Sequence, residues 1–277
     1  MNTCPCDLCK FNNPKGTATA VILRENKLLV LKRQQEPFKG MWDLPGGYMN
    51  AGETPEQTLK REMKEELGVE VRLTHIADFP GTASYKDFKF SVLSHTFLAE
   101  PASPAGRFDW EIKLDKNENS EYQWMALDDI KEIAFDSNAA ILDFVKKKFK
   151  FDLARVRELT RQLDSSAEVK EQSLYKAILD GFVATLYDGG QLVGMGWIFP
   201  RQTMLRAQAV VEDMIVDESQ RGKGYGRKLL DECVKWARAN GIEMIELTSN
   251  PKRIAANELY KKYGFQLHPT NHYLYKV

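Results

Sequence analysis

The segment from Thr54 to Gly68 constrains the fold more strongly than any other part of the sequence. Thr54 is a favourable N-cap, Pro55 suits the first helical position, and Gln57 completes a capping box. Gly68 suits the residue that ends a helix. Apolar residues recur every four positions and predict a buried stripe of Leu59, Met63 and Leu67. The pattern therefore predicts a helix that packs one face against a core.

The same helix gathers acidic residues on another face. Glu65 and Glu66 follow Glu62 by three and four positions, so their carboxylates crowd together. Like charges at that spacing destabilise a helix by roughly 0.2–0.5 kcal/mol per pair. A divalent cation would turn this repulsion into a binding site, because hard cations prefer oxygen ligands. The alternative is an acid-rich helix with a solvated outer face, and the residues around the helix argue against it.

Those surrounding residues carry a resemblance to a known family. After Gly47 come five residues, Glu53, seven more residues and then Arg61-Glu62-Met63-Lys64-Glu65-Glu66-Leu67-Gly68-Val69. This spacing resembles the Nudix signature at every specified position, and Trp42-Asp43-Leu44-Pro45-Gly46-Gly47 resembles the segment that usually precedes it. The resemblance extends over about residues 14–148. It implies an α/β/α sandwich that hydrolyses a nucleoside diphosphate linked to another group.

The resemblance also implies roles for individual residues. Metal ions would be held by three carboxylates and one backbone carbonyl, those of Glu62, Glu65, Glu66 and Gly47. Glu53 would lie beside this cluster, and Arg61 would orient a neighbouring glutamate. The cation would be Mg²⁺, or Mn²⁺ in its place, and it would polarise the diphosphate and lower the pKa of an attacking water.

The catalytic base and the substrate stay open at this point. Glu62 is one candidate base, and an acid on a later loop, Glu118 or Glu121, is another; both loop acids are equally well explained as surface residues. Segment 79–85 resembles the substrate segment of Nudix enzymes that act on dinucleotide-type diphosphates. Ser84 stands where many ADP-ribose enzymes have a proline. Tyr85 resembles the tyrosine of diadenosine-polyphosphate enzymes, with a packed core aromatic as the alternative.

A glycine-rich loop marks the second half of the chain. Residues 221–226 read Arg-Gly-Lys-Gly-Tyr-Gly and lie between a predicted strand, 208–216, and a predicted helix, 224–239. Backbone N–H groups in such a loop, at a helix N-terminus, bind anions. The loop resembles the R/Q-x-x-G-x-G/A signature of the GNAT N-acetyltransferases, and the resemblance covers about residues 152–277. It implies a mixed-sheet fold that transfers an acetyl group from acetyl-CoA to an amine.

Carried over by position, this second resemblance also implies site residues. Backbone groups of Met214, Ile215 and Val216 would pair with the pantetheine arm, where two strands splay apart. The pyrophosphate would be bound by Arg221, Gly222, Lys223, Gly224, Tyr225 and Gly226, and the Asn257 side chain would touch the cofactor.

The proton-transfer residues of the second half are less sharply indicated. Tyr260 falls at the position of the general acid that protonates the leaving thiolate, with a packed core aromatic as the alternative. Glu212 or Asp213 would take the amine proton, because strand alternation would place them on opposite faces and let one of them face the cleft.

Period and residue type predict the remaining elements and an α/β (α+β) fold class. In the first half we expect strands at 17–23, 27–32, 69–76, 88–98 and 121–126 and a helix at 137–149. In the second half we expect strands at 182–187, 191–199 and 242–248 and a helix at 257–262. The predicted divisions are a Cys-containing tail at 1–13, a Nudix-like domain at 14–150 and a GNAT-like domain at 151–277.

Composition narrows the partners. The 39 Lys+Arg residues balance 39 Asp+Glu residues, which argues against a nucleic-acid partner, and the lysines at 146–150 are interpreted as the solvated end of a helix. We expect no membrane span, a cytoplasmic location, and two small-molecule partners: a nucleotide diphosphate and an amine whose identity, small molecule or protein, is open. The oligomeric state is also open. Cys4, Cys6 and Cys9 predict a degenerate zinc ribbon or a reduced tail rather than a complete zinc site.

Three functional readings follow. The first is a bifunctional enzyme that joins a metal-dependent diphosphate hydrolase to an acetyltransferase. In the second, the Nudix half is a nucleotide-binding sensor that regulates the acetyltransferase. The third makes the acetyltransferase half an inactive partner module. The intact acidic cluster and glycine loop favour the first.

Overall fold

The computed structural model describes residues 13–85, 88–102, 110–273 and 275. The chain divides into two compact units, Met1–Phe151 and Asp152–Val277. No helix in the described ranges is both long and apolar enough to cross a membrane. The prediction made for Cys4, Cys6 and Cys9 lies outside the described residues.

The first unit is built on two small sheets and two helices. Its elements in chain order are β1 (Lys15–Val21), β2 (Leu23–Arg24), β3 (Lys27–Arg33), β4 (Trp42–Asp43), β5 (Gly46–Tyr48), α1 (Pro55–Leu67), β6 (Val71–Tyr85), β7 (Phe88–Pro101), β8 (Asn119–Ala126) and α2 (Asp136–Lys148). One sheet has the order β5-β1-β7-β6, and the other joins β2, β3 and β4, with β8 paired to β3. Only β1 and β7 pair in parallel among these described strands.

Helix α1 forms as its sequence predicts. The Thr54 hydroxyl accepts a hydrogen bond from the Gln57 N–H (3.2 Å), and the Gln57 side chain accepts one from the Thr54 N–H (2.8 Å). Gly68 ends the helix in the left-handed region, with φ 68°. The stripe residues are fully buried in a core that includes Ala18, Ala20 and Phe97 of the first sheet: Leu59, Met63 and Leu67. The capping box and the buried stripe are therefore confirmed, and together they set which face of α1 meets the sheet.

The second unit places helices on a four-stranded sheet. Its elements are α3 (Leu153–Leu163), α4 (Glu171–Asp180), β9 (Phe182–Asp188), β10 (Gln191–Gln202), β11 (Ala207–Val216), α5 (Tyr225–Ala239), β12 (Met244–Leu247) and α6 (Ile254–Tyr263). The strand order is β12-β11-β10-β9, antiparallel except for the β11–β12 pair. One core joins this sheet to α5, with Ile198 and Val211 packed near Leu229 and Cys233.

A bulge interrupts β11 near its carboxyl end. Met195 pairs with Ile215 and Trp197 pairs with Glu212, so two residues of β11 face the single residue Gly196. Asp213, at the bulge, has φ 50°. The regular pairing of β11 is therefore interrupted at Asp213, where Glu212 is partly buried and Asp213 is exposed.

The strand pairing beside this bulge ends early. The register between β11 and β12 stops at Val211 and Leu247, whereas β11 continues to Val216. The last residues of β11 are paired with β10 on one side and are no longer paired with β12 on the other. An edge of backbone N–H and C=O groups is thus open in this part of the described chain.

Replacing Thr54 by Ala should destabilise α1 by about 1 kcal/mol, because two backbone N–H groups lose their reciprocal caps. Hydrogen exchange of peptides covering Pro55–Leu67 should accelerate about fivefold. Lys60→Ala, an exposed change in the same helix, is the control and should leave exchange nearly unchanged. Equal exchange in wild type and Thr54→Ala would contradict the capping role.

Candidate functional sites

Arg61 joins the acidic residues of α1 into one cluster. Its guanidinium donates to both carboxylate oxygens of Glu53 (2.8 and 3.0 Å), to Glu62 (2.6 Å) and to Glu65 (3.0 Å). It also donates to the carbonyl oxygen of Tyr48 (3.1 Å), directly after the Gly46–Gly47 pair. The bidentate bond from Arg61 holds the pKa of Glu53 well below its usual range. Three of the predicted acidic residues, Glu53, Glu62 and Glu65, therefore bind the same guanidinium group.

Glu66 lies on the buried side of the same cluster. Its carboxylate accepts hydrogen bonds from the Gly46 N–H (2.9 Å) and from the Asn119 side chain (3.2 Å). Burial raises the pKa of Glu66 to about 8, and burial also raises the pKa of Glu62. Negative charge on these two carboxyls is costly unless a cation lies close to them.

The two glycines before Tyr48 allow the backbone to approach α1. A Cβ on Gly47 would lie 2.3 Å from Oε1 of Glu62. A Cβ on Gly46, at φ 141°, would lie 2.1 Å from the carbonyl oxygen of Ala18. A side chain at Gly47 would therefore push the strand away from Glu62, and a side chain at Gly46 would push it away from β1. The structure thus brings together the predicted metal ligands Gly47 and Glu62.

The later acids and the predicted substrate segment are placed differently. Glu118 is near enough to the cluster for its charge to help raise the pKa of Glu62. Glu121 instead pairs with Lys32 on the β3–β8 ladder (2.9 Å). Segment 79–85 is the end of β6, which pairs with β7. Tyr85 ends that strand, and its side chain lies outside the described part of the structure.

The oxygen atoms of this cluster are of the type that a hard divalent cation prefers as ligands. In the described ranges, no group of three or more His, Cys, Asp or Glu side chains has an arrangement that would hold a metal ion. Arg61 occupies oxygens of Glu53, Glu62 and Glu65, so binding a cation requires some of these bonds to open. Mg²⁺ and Mn²⁺ bind carboxylate and carbonyl oxygens, and burial removes water from the carboxyls of Glu62 and Glu66.

Asp43 supports the site, and the sequence interpretation missed its role. Its carboxylate accepts hydrogen bonds from Arg33 (2.7 Å), from the side chain of Asn138 (2.6 Å) and from the Leu44 N–H (2.9 Å). Burial raises its pKa to about 6. Asp43 therefore ties the segment that leads into Gly46 to both β3 and α2. Its position in segment 42–47, directly before the signature, could have indicated such a role. Its partner Asn138 lies 95 positions away and could not be inferred from the sequence.

Three of the lysines at the end of α2 donate hydrogen bonds to oxygen atoms of the first unit. Lys146 donates to the Ile130 carbonyl oxygen (2.8 Å), Lys147 to Asp143 (2.6 Å) and Lys150 to Asp128 (2.7 Å). Lys146, Lys147 and Lys148 lie in the last turn of α2. These contacts agree with a helix end complemented by cations.

In the second unit, the glycine loop leads directly into α5. Gly222 and Gly224 both have φ 81°, and α5 begins at Tyr225. The backbone N–H groups of Gly222 and Gly224 donate to no backbone oxygen of the described chain. Arg221 donates from Nε to the Val216 carbonyl oxygen (3.2 Å), which folds the loop back onto the end of β11. This arrangement offers consecutive donors at a helix N-terminus, with the open edge of Met214–Val216 beside it.

Tyr260 and Glu212 are close to one another. Burial raises the pKa of Tyr260, and the charge of Glu212 raises it further. Burial raises the pKa of Glu212 as well, with a contribution from neighbouring Asp213, which is exposed. Asn257, one turn before Tyr260 on α6, donates to the carbonyl oxygens of Asn250 and Arg253 (3.0 Å each). Glu212 is therefore a better candidate than Asp213, because Glu212 is partly buried and its charge acts on Tyr260.

Without a bound cation, the first unit should lose stability between pH 6 and pH 8. Burial raises the pKa of Glu66 from its ordinary value of 4.5 to about 8, so between these pH values the folded state keeps a proton that the unfolded state releases. That stabilisation is complete below 4.5 and is lost as the pH rises towards about 8. Thermal unfolding measured in the presence of a chelator should show this decline above pH 6, because Asp43, whose pKa is about 6, contributes to the pH dependence below that value. Glu66→Gln should flatten it, whereas the exposed control Glu56→Gln should not; an unchanged slope in Glu66→Gln would contradict the assignment.

Comparisons with known proteins match one family to each half of the chain. Residues 14–144 match the NUDIX domain family, and residues 153–265 match the Acetyltransferase (GNAT) family. An ADP-ribose pyrophosphatase from Methanocaldococcus jannaschii is 29% identical over 145 residues, which cover 51% of this chain and 81% of that protein. The nucleoside triphosphatase NudI from Escherichia coli is 32% identical over 108 residues, 37% of this chain and 72% of that protein.

Among solved structures, an acetyltransferase from Trypanosoma brucei is 25% identical, with a TM-score of 0.38, and covers 45% of this chain and 93% of that one. The two family matches, at residues 14–144 and 153–265, lie within the first and the second unit, respectively. The chain belongs to the Nudix hydrolase family through its first unit, and its second unit carries an acetyltransferase domain of the GNAT family.

Proposed function

We propose that the chain carries two activities. The first unit hydrolyses a nucleoside diphosphate linked to another moiety, with Mg²⁺ or Mn²⁺. The second unit transfers the acetyl group of acetyl-CoA to an amine. The observation that carries the first activity is the convergence of Glu53, Glu62 and Glu65 on Arg61, beside the close-packed Gly46–Gly47 backbone. A sensor that only binds nucleotide has no need of this costly cluster.

In the hydrolase site, the cation would be held by Glu62, Glu65, Glu66 and the Gly47 carbonyl oxygen. Bound there, it would neutralise charge on the diphosphate and make a nearby water more acidic. Arg61 steers the carboxylates, and Glu53 anchors Arg61, because both oxygens of Glu53 are bound to its guanidinium. Glu62 is our first choice as the base, since its carboxylate lies directly against the Gly47 backbone inside the cluster. Glu118 is the second choice.

The names of two relatives bear on the choice of substrate class. One relative is named an ADP-ribose pyrophosphatase and another a nucleoside triphosphatase. The first aligns over more of this chain, which supports a diphosphate derivative over a triphosphate. A hydrolysis screen with both substrate classes, with and without Mg²⁺, tests this choice.

In the acetyltransferase site, the open edge of β11 would pair with the pantetheine arm, and residues 221–226 would bind the pyrophosphate through backbone N–H groups. The Asn257 side chain would also contact the cofactor. Tyr260 would protonate the leaving thiolate. Glu212, half-buried and near Tyr260, would take the amine proton, directly or through water.

Glu62→Gln should lower the rate of diphosphate hydrolysis by about 10²–10⁴-fold, because it removes both a metal ligand and the proposed base. Acetyl transfer by the same variant should be unaffected. The exposed first-turn variant Glu56→Gln serves as the matched control and should retain hydrolysis. Undiminished hydrolysis in Glu62→Gln would overturn the assignment. Nucleotide binding without turnover by the wild type would favour the sensor instead.

Tyr260→Phe should reduce kcat for acetyl transfer by about 10²-fold while leaving acetyl-CoA affinity unchanged, because it removes a proton donor and little contact area. Tyr263→Phe is the control on the same helix; its hydroxyl donates to Asp231 (2.8 Å) rather than facing Glu212. Steady-state kinetics with an amine panel, together with calorimetry, measure both quantities. A Tyr260→Phe variant with wild-type kcat would show that another group protonates the thiolate.

A further inference from the structure

A buried ion pair anchors the approach to the glycine loop. Arg155 of α3 is 7% exposed and Asp217 is 6% exposed, and the Arg155 guanidinium donates to the Asp217 carboxylate. Arg155 also donates from Nε to the Leu192 carbonyl oxygen (2.8 Å). Asp217 directly follows β11 and directly precedes the short 3-10 turn Glu218–Gln220. The pair therefore ties α3 and β10 to the point where the chain leaves the sheet.

Other contacts tighten the same junction. The Asp217 N–H donates to the carbonyl oxygen of Val193 on β10 (2.9 Å), and the Asp217 carboxylate accepts from the N–H (2.8 Å) and hydroxyl (2.6 Å) of Ser219. The Glu218 N–H donates to the side chain of Gln162 on α3 (2.9 Å). All three residues from 217 to 219 are thus held before the glycine loop begins.

The loop itself contrasts with this anchored junction. Glycine at positions 222 and 224 allows many backbone conformations, and the N–H groups of Gly222 and Gly224 donate to no backbone oxygen of the described chain. Ordering such a segment on binding costs free energy, and a chain held beforehand in the bound conformation avoids part of that cost. A buried ion pair is, by itself, a weak source of stability. Its position at the entrance of the loop gives it a different use.

We propose that Arg155, acting through Asp217, is a positioning residue that aims the backbone N–H groups at the start of α5, from Gly222 to Gly226, at the pyrophosphate of acetyl-CoA. The proposal rests on acetyl-CoA being the ligand of the second unit. Arg155 touches no reacting atom in this account. Its effect is on affinity for the part of the cofactor that the loop binds.

The test compares the double variant Arg155→Met/Asp217→Asn with wild type in the full chain. Removing both charges avoids leaving one of them buried alone, and an asparagine can still accept from Ser219. We expect the KM for acetyl-CoA to rise about tenfold, with kcat little changed, because the loop loses its anchor. S-acetylpantetheine lacks the pyrophosphate, so its kcat/KM should be the same in both proteins. Arg157→Met, an exposed change on α3, is the matched control.

Each outcome has a distinct meaning. An unchanged KM for acetyl-CoA in the double variant overturns the positioning role, and so does an equal loss with S-acetylpantetheine, which would show a general structural defect. If the double variant does not fold, as judged by circular dichroism, Arg155→Lys decides: it keeps the buried positive charge, but an ammonium group cannot reproduce the guanidinium bonds to both Asp217 and the Leu192 carbonyl oxygen. A raised KM for acetyl-CoA in Arg155→Lys supports the proposal, and an unchanged KM overturns it. If wild type binds no acetyl-CoA in calorimetry, the proposed function fails and the inference fails with it.

Discussion

The arrangement of the first unit depends on one cation supplied by the chain, the Arg61 guanidinium. Without it, the acids of α1 and Glu53 would repel one another at close range and would favour separation of α1 from the Gly46–Gly47 strand. Arg61 compensates three of these carboxylates and also binds the Tyr48 carbonyl oxygen, so it links helix to strand. Glu66 avoids the repulsion in a different way. Burial raises its pKa to about 8, so that its carboxyl stays protonated at neutral pH, and it accepts two hydrogen bonds. A bound divalent cation would take over much of this compensation.

Local chemistry accounts for the parts that the sequence predicted well. The capping box, the four-residue apolar spacing and the stop at Gly68 all act within one helix, so α1 and its buried face could be inferred without tertiary information. The glycine loop before α5 is equally local, because left-handed φ values at Gly222 and Gly224 are a property of residue type. Both resemblances rest on such segments, and the family matches agree with them.

Features that depend on distant partners were not predictable in the same way. The two-residue strand β4 and the three-residue β5 exist through pairing with β3 and β1, and their sequence has no alternation of its own. Helices α3 and α4 were not predicted, although α3 carries the buried Arg155 whose partner Asp217 lies 62 positions away. The bulge at Asp213 appears only when β11 is aligned with β10, so the sequence of β11 alone could not reveal it. Asp43 and Asn138, 95 positions apart, are a further case.

The central claim is that the acids around Arg61 form a divalent-cation site. Its most direct test is a titration of the chelator-treated full chain with Mn²⁺, in which electron paramagnetic resonance reports the free ion. Wild type is compared with the double variant Glu62→Gln/Glu66→Gln, and acetyl-CoA binding serves as a check on the second unit. We predict that wild type removes Mn²⁺ from solution and that the variant does not, with equal acetyl-CoA affinity in both. Equal Mn²⁺ binding by the two proteins, or none by wild type, would contradict the account.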